Sequence, residues 1–80
     1  MKTYTANCTD TNNRPAGKVE FLASLYDDGR PLLVTYKEKT FFSTGKVGTN
    51  MASGQTVYEL ATEADARIWL TADLGQIYED

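Results

Sequence analysis

Thr62-Glu63-Ala64-Asp65-Ala66-Arg67-Ile68-Trp69-Leu70-Thr71-Ala72-Asp73-Leu74-Gly75 is the segment on which the architecture of this chain turns. Thr62 stands three residues before Asp65, as in a capping box, where a threonine oxygen accepts from a backbone N–H one turn on. Glu63 and Asp65 suit the positive end of a helix dipole. No Pro or Gly interrupts residues 64–74, and Gly75 offers a C-terminal stop. These signals predict a helix that begins at Thr62. Its apolar residues fall into two stripes at i, i+3/i+4 spacing. Ala61, Ala64, Ile68 and Ala72 form one, and Ala66, Leu70 and Leu74 form the other, with Trp69 between them. A surface helix ordinarily has one such stripe. The first is expected to cover a sheet. The second is left for the C-terminal tail, a target or a second copy, which makes Ala66, Leu70 and Leu74 candidate self-association residues and a homodimer an expectation.

The segments before it read as strands. Tyr4, Ala6 and Cys8 alternate with Thr3, Thr5 and Asn7, the period of a half-buried strand. Residues 9–17 (T-D-T-N-N-R-P-A-G) are turn formers. Val19, Phe21, Ala23 and Leu25 share one face of the next strand. Asp27-Asp28-Gly29 then breaks the pattern, so residues 18–37 form an antiparallel hairpin. Thr40-Phe41-Phe42-Ser43 reads as a third core strand. Residues 43–54, with Gly45, Gly48 and Gly54, read as a long loop or bent edge strand, and residues 56–60 as a short last strand. The expected fold is α+β, with residues 1–80 as one domain: an antiparallel sheet of four or five strands with one C-terminal helix packed on one face.

Composition narrows function. The 80 residues include no histidine and one cysteine. Histidine carries most acid–base chemistry near neutral pH, and a nucleophilic Ser or Cys needs a base beside it. The chain is therefore expected to bind rather than catalyse, with no cofactor and no metal site. Cys8 reads as a small core hydrophobe. Asp10, Asp27 and Asp28 read as turn formers, and S-T-G-K-V-G-T at 43–49 lacks the glycine spacing and the helix of a phosphate-binding loop. No apolar run approaches the roughly 20 residues of a membrane span. With its unpaired thiol, the chain is expected in the cytoplasm of a host bacterial cell.

The net charge of −3 is unevenly spread, at +2 over residues 1–55 and −5 over residues 56–80. An acidic end repels a phosphate backbone and attracts basic surfaces. Lys2, Lys18, Lys37 and Lys39 among Tyr4, Tyr26 and Tyr36 leave direct nucleic-acid binding as a lesser alternative.

A small chain without enzyme parts, with strands followed by a capped T-E-A-D-A-R-I-W-L segment and an acidic C-terminal end, resembles the phage-encoded inhibitors of the anti-CRISPR group. That resemblance lies in overall organisation. It implies a stoichiometric inhibitor that occupies a basic surface of a host protein complex such as a CRISPR effector. Glu59, Glu63, Asp65 and Asp73 would supply charge, and Trp69 and Tyr78 aromatic anchors. The alternatives are a homo-oligomeric phage structural protein and a small nucleic-acid-binding regulator.

Overall fold

Alternation with a period of two governs the whole chain, including the segment expected to be helical. The computed structural model describes residues 1–80 and contains seven strands and no helix. They are β1 (Lys2–Thr9), β2 (Pro15–Leu25), β3 (Pro31–Tyr36), β4 (Lys39–Thr49), β5 (Thr56–Ala61), β6 (Arg67–Thr71) and β7 (Gln76–Glu79). Each pairs antiparallel with the next, and β1 pairs with β7 to close a barrel. With an odd number of strands in an up-and-down meander, the first and last run the same way. Their seam is accordingly parallel, with Asn7 opposite Gln76, Cys8 opposite Ile77 and Thr9 opposite Tyr78.

The expected α+β class with a C-terminal helix is corrected to an all-β barrel, and the four or five strands to seven. The reason is local. Thr62 Oγ1 does accept a backbone N–H, that of Ala66 at 3.1 Å. Thr62 N–H and Ala66 C=O also bond to each other at 2.9 Å, which closes a hairpin loop. Asp65 has φ of 68°, the left-handed region, so the backbone reverses after barely one turn. Leu74, not Gly75, takes the left-handed conformation in the next turn, at φ of 61°. There the Asp73 carboxylate accepts from the Thr71 hydroxyl at 2.6 Å and the Gly75 N–H at 2.9 Å, a side-chain turn that reverses the chain into β7.

β2 and β3 form the hairpin read from residues 18–37. Of the two readings of residues 43–54, the bent strand holds for 43–49: β4 continues past a bulge between Ser43 and Val47, where Gly45 sits at φ of 84°. The inward residues are Ala6, Cys8, Phe21, Ala23, Val34, Tyr36, Phe41, Leu60, Ile68, Leu70, Leu74 and Ile77. Side chains fill this small barrel, as its strand number requires.

One end of the barrel carries the β1–β2 loop, the β3–β4 turn, the β5–β6 loop and the end of β7. The other carries Met1 and the turns that follow β2, β4 and β6.

Candidate functional site

Phe41 and Phe42 are neighbours on β4, and a strand sends adjacent side chains to opposite faces. Phe41 is buried and Phe42 faces out, 46% exposed. Phe42 lies opposite Leu33 of β3 and Ala61 of β5. The β5–β6 loop rises beside it, and together they frame a groove of about 490 Å³ lined by Lys39, Thr40, Phe42, Thr62, Glu63 and Ala64, with Ala66 at its inner edge. Glu63 and Asp65 project from this loop without an ion-pair partner; the four ion pairs of the molecule involve other residues. The groove thus offers the Phe42 ring and Lys39 from β4 and the unpaired Glu63 carboxylate from the β5–β6 loop.

Of the remaining candidate residues, Glu59, Trp69 and Tyr78 form one cross-strand row on the outer wall of β5, β6 and β7, and Asp73 lies apart. Glu59 is buried on the outer face of β5, where it accepts from Thr44 Oγ1 at 2.9 Å with Arg67 Nη1 at 4.0 Å. Its carboxylate is committed within the molecule. Trp69 and Tyr78 lie opposite each other on β6 and β7, half-buried on the outer wall. The Trp69 ring lies close to Gly48, where an added Cβ would stand 3.5 Å from Cζ3. Asp73 sits at the other end of the barrel from Glu63. The Thr71 hydroxyl and then the Gly75 N–H hold its carboxyl below the usual range. The predicted residues therefore fall into three places: Glu63 and Asp65 in the β5–β6 loop, Glu59, Trp69 and Tyr78 in one row across the outer wall, and Asp73 at the opposite end. Leu70 (0% exposed) and Leu74 are core residues rather than surface ones, while Ala66 packs against the core.

The same end of the barrel holds a chain of polar side chains. The Cys8 thiol and Tyr36 hydroxyl are 3.2 Å apart, Tyr36 donates to Glu79 Oε2 at 2.8 Å, and Lys37 Nζ donates to the same oxygen at 2.6 Å. Burial, with Cys8 and Glu79 adjacent, pushes the Tyr36 hydroxyl far above the usual phenol range. Burial alone would raise Glu79, but the bonds from Lys37 and Tyr36 outweigh it and hold the carboxyl below its usual value. The chain of bonds caps the core with each polar atom partnered. Cys8 lies beneath the cap, buried at 2% exposure.

Phe42, expected in a core strand, faces outward instead. The signal against that assignment was present, because two consecutive aromatic residues in one strand cannot both point inward. No family model, curated protein or solved structure matches the chain.

Proposed function

We propose that this protein is a non-enzymatic binding module that docks a basic protein surface in the groove at Phe42. The observation that carries this is an aromatic ring left 46% exposed beside the unpaired carboxylate of Glu63. An arginine or lysine of a partner satisfies both at once, its cation over the ring face and its N–H groups on the carboxylate. Such a contact is worth about 0.5–1 kcal/mol at an exposed ring and more once desolvated. Asp65 adds a second negative charge in the same loop, and Lys39 disfavours a partner that is positive across the whole groove. A rigid barrel also loses little conformational freedom on binding.

A CRISPR effector, with its basic guide- and target-binding surfaces, is the partner implied by the resemblance in overall organisation. The helical part of that resemblance is absent from the fold, so what supports this partner is small size, acidity and the groove itself.

The test is an amide-resolved NMR titration with an arginine-containing peptide, followed by binding to purified effectors of defined type. Shifts centred on Phe42, Glu63 and Ala64, abolished by Phe42→Ala and by Glu63→Lys, are expected. Shifts spread evenly over the acidic surface, or unaffected by both substitutions, would remove this groove as the site.

A further inference from the structure

Barrel closure leaves three stretches of five or more strand residues with one edge unpaired. β7 pairs with β1 only at residues 7–9, so residues 2–6 of β1 have β2 on one side and no strand on the other. β3 pairs with β2 only over residues 22–25, which leaves residues 15–21 of β2 open. Beyond its bulge, β4 pairs with β5 alone. Open edges invite pairing with another chain, and proteins block them with proline, charge, bulges and glycine kinks.

Two of these edges are blocked in that way. The β2 edge carries Pro15, which lacks an N–H, Gly17 at φ of 85°, and Lys18. The β4 edge carries the bulge, Gly45 and Lys46. The β1 edge runs Thr3-Tyr4-Thr5-Ala6, with no proline, glycine, charge or bulge, and only Lys2 at its start.

The geometry of this edge identifies what it pairs with. Asn7 N–H donates to the Gly75 carbonyl at 3.0 Å on the β7 side, so the odd-numbered peptide groups of β1 face that side. Strand alternation turns the N–H and C=O of Thr3 and Thr5 the same way, and both residues are exposed. We propose that a second copy of this chain pairs there, β1 against β1, antiparallel about a two-fold axis at Tyr4. In that register Thr3 of each copy faces Thr5 of the other, and their outward-directed groups form four backbone hydrogen bonds. Tyr4 faces Tyr4 at the close, non-hydrogen-bonded position. Lys2 faces Ala6, so no like charges oppose, and Thr–Thr pairs are favourable across strands. Such self-complementarity is what a two-fold interface requires. Tyr4 is half-buried, stacked on Phe21 at 5.6 Å, and lines an open groove with Met1, Ala23 and Leu25 that the second Tyr4 would cover. Pairing stops at Asn7, whose N–H is already used. An interface this short makes a weak, concentration-dependent dimer.

Sedimentation equilibrium over a wide range of protein concentration tests this directly. The wild-type chain is expected to pass from monomer to dimer. Thr5→Pro removes an N–H without an intrachain partner, so the variant is expected to keep the wild-type circular dichroism and remain monomeric. Hydrogen exchange on the wild type is a second readout, independent of how the variant folds: amide protection at Thr3 and Thr5 should rise with protein concentration. A wild-type monomer at every concentration would overturn the proposal, as would a dimer that a folded Thr5→Pro variant retains. So would concentration-independent exchange at Thr3 and Thr5, or a foreign extended peptide occupying the edge of a wild-type chain that never self-associates.

Discussion

Tyr36 shows how one side chain serves both the core and the rim. Its ring packs against Phe41 at 6.3 Å between centroids, and its hydroxyl joins Cys8 to Glu79. Tyr36→Phe keeps the ring and deletes the bonds. A hydrogen bond to a charged group contributes about 1.5–3 kcal/mol. In a domain of this size each kcal/mol moves the Tm by about 4–8 °C, so calorimetry should show a clear drop at neutral pH. The pH dependence separates the two titrating partners. The Tyr36 hydroxyl is raised in the fold, so its contribution is complete below the ordinary value of 10.0 and is lost as pH climbs above it. Glu79 is lowered, so its contribution is present above the ordinary value of 4.5 and is lost as pH falls through the lower folded value. Thermal melts across pH should therefore show Tyr36→Phe flattening the alkaline limb and Glu79→Gln flattening the acid limb. If both variants keep the wild-type profile, the rim network does not set the pH range.

At the scale of the element, the turns carry what the sequence half concealed. Lys37 and Glu38 have φ of 50° and 63°, the two left-handed positions of the tight turn that joins β3 to β4. Such turns favour Asn-Gly, and Lys-Glu gives no hint of one. A left-handed non-glycine residue costs roughly 1–2 kcal/mol, partly offset by glycine's greater chain entropy. Glu38→Gly is expected to stabilise by up to about 1 kcal/mol in urea titration; a loss of stability would mean that Glu38 makes contacts beyond the turn. The β5–β6 hairpin hid behind an ambiguity of period. Ala64, Ala66, Ile68, Leu70, Ala72 and Leu74 occupy every second position, a strand pattern that also places residues four apart on two helical stripes. A second stripe was itself the sign of a strand, and the threonine cap, which serves hairpin loops as readily as helices, outweighed it. The strands through residue 43 were legible because β-branched and aromatic residues alternate with polar ones there, and the short strand read at 56–60 is β5. The groove was half legible: Glu63 stood out by charge, whereas Phe42 was hidden by its neighbour. Leu70→Asp, which a surface helix would survive as a dissociated monomer, should here unfold the chain, because it places a charge in the barrel core. Loss of the circular dichroism of the fold at room temperature is the expected readout.

For the whole molecule, the parallel seam between β1 and β7 makes a barrel of what would otherwise be an open meander with two long edges. It holds three residue pairs, and the bond from Gln76 Nε2 to Thr9 Oγ1 spans 67 residues of sequence. Every other pairing joins neighbours in the chain and forms with little loop closure. Seam contacts bring their stabilisation only after the chain ends have met, so they are expected to form late in folding. Ile77 sits at the centre of the seam, fully buried opposite Cys8 and Leu70. Ile77→Ala should cost about 2–5 kcal/mol, a large share of the roughly 4–12 kcal/mol typical of a chain this long. If the seam closes after the transition state, most of that loss appears as faster unfolding, with folding slowed little. Val34→Ala in the β2–β3 hairpin, which closes locally, should instead slow folding. Stopped-flow chevrons on both variants test this ordering. A folding rate that falls by the full stability loss in Ile77→Ala would place the chain ends together in the transition state and make closure of the barrel, rather than growth of the meander, the step that limits folding.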